Sequence, residues 1–177
     1  MTEQTTGVPR SVPAEAFRAA MACHAAGVAV VTTRDATGRP WGLTVTSFSS
    51  VSLEPPLVVA CVARRAGGYR AFADCTRFVV SLLDEEQEEI AARFARSGAD
   101  KFPPHENEHE HDTTAPGMPP GVPGALCRLD CRVHARHPAG DHLLLVGRVT
   151  EAHHREGTPL IHHRRTFHTL HPNAVRS

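Results

Sequence analysis

The chain has no excess charge of either sign: Lys plus Arg and Asp plus Glu number 19 each. No long-range field therefore draws it to nucleic acid or to an anionic bilayer. Its 13 His residues tilt that balance only below about pH 6.5, where unperturbed imidazoles take up a proton. It also lacks long hydrophobic runs. No stretch approaches the roughly 20 apolar residues that span a bilayer, and the first fifteen residues, MTEQTTGVPRSVPAE, hold no apolar core of signal-peptide type. A cytoplasmic protein is the expectation. Cysteine is present but unpatterned. Cys23, Cys61, Cys75, Cys127 and Cys131 are scattered, odd in number and without a Cys-x-x-Cys pair, which argues for reduced thiols over a disulfide framework or metal cluster.

What is there is an ordinary globular balance, 41% apolar and 21% charged in 177 residues, enough for one domain with a sizeable core. Residues 1–12 read as a frayed arm and 13–177 as a single domain. Phe17, Ala20, Met21 and His24 recur at helical spacing after Ser11, a candidate cap. Their single apolar stripe predicts a short helix lying on another element. GVAVVTT from Gly27, the turn chemistry RDATGRP and a strand beginning near Trp41 predict a hairpin. LVVACVA (57–63) is apolar throughout and predicts a strand buried on both faces.

GGYRAFADC (67–75) predicts a short helix and RFVVSLL (77–83) another strand. Asp84 with Gln87 three residues on forms a capping-box signature for EEQEEIAARFARSG, with acidic residues in its first turn and Gly98 at its end. Residues 99–123 hold six of the 14 prolines and the run HENEHEHD, a long irregular connection. ALCRLDCRVHARH and HLLLVGRVTEA follow as two long strands joined at PAGD, then a closing PLIHHRRTFHTL. Mostly hairpin-connected strands with two or three small helices favour a mainly β fold, a closed antiparallel barrel, over a doubly wound sheet.

The chemistry-bearing stretch is WGLTVTSFSSVSLEPPL (41–57). Thr44, Thr46, Ser47, Ser49, Ser50 and Ser52 put neutral donors at a strand's end, where hydroxyls and backbone amides match the carbonyls and nitrogens of a flat heteroaromatic ring. Thr also favours strands and Ser caps turns, so composition alone leaves both readings open. His105, His109 and His111 with Glu106, Glu108 and Glu110 form a second cluster, but an irregular loop supplies neither the fixed geometry nor the supporting shell of a zinc site. Adventitious metal contact is the expectation there, and no resident metal.

The order and spacing of FRAAMACHAAGVAVVTT, GRPWGLTVTSFSSVSLEPPLVVACV, RFVVSLL, AGDHLLLVGRVTEA and PLIHHRRTFHTL resemble the short-chain flavin reductases, the small components of two-component flavin-dependent monooxygenases. The resemblance runs from about Phe17 to Leu170. It implies an FMN-binding split β-barrel, a homodimer with active sites near the subunit interface, and hydride transfer from NADH or NADPH to FMN or FAD. A partner monooxygenase would receive the reduced flavin.

By that family's pattern Thr44, Val45, Thr46, Ser47 and Ser50 belong to the flavin's ring and ribityl side. Val62, Ala63, Arg65 and Gly67 belong near its phosphate, and Phe94 and Ala95 approach from the opposite side. His142, of Gly140-Asp141-His142, matches the histidine beside the nicotinamide, and Arg165 to Phe167 fall where the family closes over the pyridine nucleotide. The chain departs from the pattern at RRAGGY, where a Ser or Thr is usual, at His24 and Ala26, and at Ser81, where Asn is usual. These departures keep a second reading open, a flavin-retaining carrier or specialised flavoenzyme acting on a small organic substrate without reductase turnover.

Overall fold

The β-branched run after Gly27 forms the centre of the molecule because neighbouring elements cover both of its faces. Strand β2 (Ala29–Arg34) sends Ala29 and Val31 into one apolar cluster and Val30, with the preceding Val28, into a second. It pairs antiparallel with β3 (Pro40–Val45) across the predicted turn and with β6 (Arg77–Leu82) on its other side. These elements come from a computed structural model that describes residues 11–98, 101–102 and 117–170. The histidine-rich run 105–112 lies outside the described residues, as do residues 1–10 of the predicted arm.

Seven strands form one antiparallel sheet in the order β3-β2-β6-β7-β8-β5-β4. Its other members are β4 (Phe48–Ser52), β5 (Leu57–Ala63), β7 (Cys127–Ala139) and β8 (His142–His154). β3 and β4 stand at opposite ends of that order yet are joined only by Thr46 and Ser47, so the sheet must curl until its two edges meet. The Cys61 amide donates to the Ser47 carbonyl at 3.3 Å across that closure. This is the predicted split barrel. A second sheet of β1 (Ala26–Gly27), β9 (Ile161–His163) and β10 (Thr166–His168) lies apart from it.

Inside the curl, Phe72, Phe78, Val62 and Leu145 are fully buried, and each such side chain contributes about 1.5–3 kcal/mol relative to exposure. Phe72 comes from α2 (Tyr69–Asp74). The second cluster lies under α3 (Glu88–Ala95), through Ala91 and Phe94. Asp84 and Gln87 make the predicted capping box, although it first starts a short 3-10 turn, Glu85–Gln87, that runs into α3. Buried Asp84 also accepts a 2.8 Å bond from Arg155, tying the helix start to the segment after β8. The backbone amide of Glu86, Arg155 and its charge hold the Asp84 carboxyl below the usual range.

Three expectations need correction. β5 is not buried on both faces: Val58, Ala60 and Val62 point to the core while Leu57, Val59, Cys61 and Ala63 are half-buried, and Cys61 and Ala63 of that second face border a cavity rather than a layer of structure. α1 (Ala14–Met21) does not lie on another element of this chain. It buries no residue, and Phe17 and Met21 are 59% and 48% exposed. Its N-cap is Pro13, with no side-chain cap from Ser11.

Gly147 on β8 shows how tight the core is, since a Cβ there would lie 2.2 Å from Phe78 Cζ. Gly147→Ala is expected to lower stability by about 1–3 kcal/mol through overpacking, read as a lower urea midpoint with unchanged slope.

Candidate active site

β3 is the last of the described strands of the sheet, so among the described residues one side of its backbone has no strand to pair with and is left to other groups. A slot of about 890 Å³ runs along it. One wall is the end of α3, with Phe94, Ala95 and the residues Arg96, Ser97 and Gly98 beyond it, together with Lys101 and Phe102. The other wall is Cys61 and Ala63 of β5 and the turn Ala66–Gly68 ahead of α2. His142, the first residue of β8, closes one end, directly paired with Ala63.

The wall reaches β3 because residue 42 is glycine. A Cβ at Gly42 would lie 2.5 Å from Phe94 Cε1 and 3.2 Å from Phe102 Cζ. Phe94 and Phe102 meet edge to face, their centroids 5.2 Å apart. Lys101 then clamps the junction: its Nζ donates to the Gly42 carbonyl at 3.0 Å and to the Phe94 carbonyl at 2.8 Å. Burial pushes the Lys101 pKa down. Thr44 adds a third tie, donating its hydroxyl to the Ala91 carbonyl at 2.7 Å.

The slot thus brings together Thr44, Val45, Thr46, Ser47, Ala63, Gly67, Phe94, Ala95 and His142 of the expected set. Two of the hydroxyls do a different job from the one expected. Thr44 holds α3, and Ser47 donates to the Cys61 carbonyl at 3.3 Å, closing the barrel. Thr46 remains exposed within the slot. The remaining expected residues do not line it. Val62 points into the core, fully buried. Ser50 is exposed on β4. Arg65 is exposed outside the lining, where its charge acts on Asp141. Arg165 sits at a positive φ of 69° in the β9–β10 turn, and Phe167 packs on the second core edge to face with His162.

Ser81, one of the departures, is fully buried and accepts the Val122 amide at 3.0 Å, so its role there is structural. His24 is exposed beyond α1.

His142 Nδ1 lies 2.7 Å from Asp141 Oδ1. A nitrogen that close to a carboxylate is the one carrying the proton, which leaves Nε2 as the free ring nitrogen. That hydrogen bond is the leading cause that holds the Asp141 carboxyl below the usual range.

Sequence reasoning missed Arg39, Trp41, Lys101 and Phe102, all of which line the slot. Lys101 and Phe102 sit within a stretch that read as irregular connection, and no local pattern marks them. Trp41 had a signal in RDATGRPW: an Asp placed to satisfy its own turn. Asp35 Oδ1 accepts the Thr37 amide at 2.9 Å, the Thr37 hydroxyl at 2.6 Å and the Arg39 amide at 3.1 Å. Its Oδ2 accepts Trp41 Nε1 at 2.8 Å. The Thr37 hydroxyl and the Trp41 indole lead the bonds that hold the Asp35 carboxyl down to about 2. The Arg39 guanidinium lies over the Trp41 ring at 4.7 Å. Arg39, Arg96, Lys101 and His142 line the slot and, among the described residues, no Asp or Glu does, although the whole chain carries as many acids as bases. Among the described residues no group of His, Cys, Asp and Glu is placed to hold a metal, and no helix is long and apolar enough to cross a membrane.

A curled antiparallel sheet whose edge opens on a slot of amides, aromatic rings and cations defines a split-barrel protein suited to a phosphorylated heteroaromatic ligand. Residues 21–171 match the family model described as flavin reductase like domain, and the chain belongs to that family. It is 45% identical over 155 residues to the actinorhodin polyketide dimerase of Streptomyces coelicolor, covering 87% of this chain and 85% of that protein. It is 39% identical over 160 residues to an FMN reductase (NADH) of Agrobacterium fabrum, covering 90% and 88%. The solved styrene monooxygenase flavin reductase of Pseudomonas putida superposes with a TM-score of 0.76 at 31% identity, over 89% of this chain and 98% of that one.

The Asp35 carboxyl has a folded pKa below its ordinary 3.8, so its contribution to stability is complete above that value and is lost as pH falls toward about 2. Wild type is expected to exceed Asp35→Asn in stability at neutral pH and to lose that margin between about pH 4 and pH 2. Denaturant melts at stepped pH, with Trp41 fluorescence as the signal, check it.

Proposed function

We propose that the protein is an NAD(P)H:flavin oxidoreductase that transfers hydride from NADH or NADPH to FMN or FAD and releases the reduced flavin to a partner monooxygenase. One observation carries the reading: the edge of β3, the imidazole of His142 and the cations Arg39, Arg96 and Lys101 converge on one slot. Those groups fit a flavin. Backbone N–H and C=O groups along β3 match the ring's alternating acceptors and donor, and cations suit its phosphate. A flavin held there would accept the hydride that NAD(P)H gives up, leaving NAD(P)+ and the anionic reduced flavin.

Bound flavin supplies the two-electron chemistry, and the chain supplies position and field. Phe94 and Phe102 form an apolar wall that keeps water from one side. The β3 edge fixes the ring's orientation in its plane. Lys101, held at the junction of β3 and α3, puts a positive charge in the wall where the reduced ring gains negative charge. His142 stands at the end of the slot, its ring set by Asp141, and orients the nicotinamide for direct transfer.

The wider assembly belongs to the same reading. α1 buries nothing within the chain, and a second copy covers Phe17 and Met21 in a homodimer. Arg165 and Phe167, which do not line their own slot, close over the pyridine nucleotide in that dimer. The protein works in the cytoplasm beside its oxygenase. A second reading, a flavin-retaining enzyme acting on a small organic substrate, is favoured by the 45% identical relative named as a polyketide dimerase.

Purified protein is expected to oxidise NADH or NADPH steadily when free FMN or FAD is added. Absence of turnover above the flavin-only background, with flavin co-eluting on gel filtration, selects the second reading. His142→Ala is expected to lower kcat/KM for the pyridine nucleotide roughly tenfold to a hundredfold while leaving flavin affinity unchanged. Phe17→Glu with Met21→Glu is expected to shift the protein to monomer in sedimentation velocity.

A further inference from the structure

We propose that Arg39 is a phosphate ligand of the slot, held in place by Trp41 and Asp35, and that it grips the phosphorylated tail of the nucleotide bound there. The inference rests on the flavin reading above and names one partner for that site.

Arg39 immediately precedes β3 and lies at the opposite end of the slot from Ser47 and His142. From Trp41 to Val45 the strand advances about 13 Å at ~3.3 Å per residue. A nucleotide whose ring lies near Ser47 and His142 therefore carries its tail along β3 toward Arg39. Of the slot's cations, Lys101 has already committed two of its three donors to carbonyls. The Arg39 guanidinium makes no hydrogen bond or ion pair among the described residues, and all its side-chain donors remain available.

Arg39 is nevertheless held in place. The guanidinium rests over the Trp41 ring at 4.7 Å. Below, Trp41 packs on Gly68, where a Cβ would lie 3.1 Å from Trp41 Cε3, and Asp35 fixes the indole nitrogen. The nearby carboxylate makes no ion pair with the guanidinium. Asp35 Oδ1 is taken by Thr37 and the Arg39 amide, and its Oδ2 by the indole. The acid sets the platform's geometry and leaves the guanidinium donors unengaged, and among the described residues no Asp or Glu lines the slot. Arg96, the other exposed arginine of the lining, has no such brace. A planar guanidinium with free donors and a fixed orientation is suited to two phosphate oxygens at once.

The phosphate has three possible sources: the 5′-phosphate of FMN, the pyrophosphate of FAD or that of NADH. The test titrates wild type, Arg39→Gln and Arg39→Lys with riboflavin, FMN, FAD and NADH. Quenching of the single tryptophan reports binding, and calorimetry checks it. Arg39→Gln is expected to weaken at least one phosphorylated ligand roughly tenfold, the loss of one charge-assisted contact, with riboflavin unchanged and partial recovery in Arg39→Lys. The ligand that weakens identifies the source. Equal loss for riboflavin would make Arg39 a brace for Trp41 and overturn the proposal, as would unchanged affinity for all four. Failure of wild type to bind any flavin would instead remove the functional reading itself, and this assignment with it.

Discussion

The site depends on one missing methyl group. Gly42 lets Phe94 press against the backbone of β3 at a distance that any side chain would forbid, and the end of α3 arrives with it. Everything on that wall follows: Phe102 meets Phe94 edge to face, and Lys101 finds two carbonyls within reach of one ammonium. The contact also leaves the rest of the β3 edge uncovered. An edge strand is usually a liability. Here a helix end and a lysine shield one point of it, and the remaining groups face a cavity instead of another chain's strand.

The hydroxyl-rich segment that drew attention in the sequence works largely on the protein itself. Thr44 bonds α3 and Ser47 bonds β5, so two of the conspicuous alcohols assemble the slot's walls. What remains for a ligand is mainly backbone, Thr46 and positive charge. Such a division suits hydride transfer, in which alignment of two rings matters more than a proton donor, and in which the fixed field must favour the more negative product.

Much of this was legible in the sequence wherever local rules and tertiary packing agree. The β-branched runs, the RDATGRP turn and the Asp84 capping box each specify their element without help from distant residues. LVVACVA misled because a cavity wall and a core face are both apolar, and composition does not distinguish them. The α1 stripe misled in the converse way, since amphipathicity states that a cover exists but not which molecule provides it. Lys101 and Phe102 were invisible because their partners are a glycine carbonyl and a helix end far off in the chain, contacts created by the fold and written in no local period. Val62 stays out of the slot for the simplest reason: neighbours on a strand point to opposite faces, so Ala63 lines it and the Val62 side chain faces the core.

His142 reaches its place at the start of β8, where the 13-residue strands β7 and β8 join at their tip, and the register between them shifts twice along the way. Most of β7 beyond Cys131 is solvent-exposed, but the core of β8 begins at Leu143, the residue next to His142, and Ala63 pairs with His142 directly. The imidazole is therefore carried by the same packing that keeps the barrel folded. A backbone shift at that tip is transmitted into the barrel, so its side chains can be exchanged only while the strand path is held, just as the opposite wall is held through Gly42.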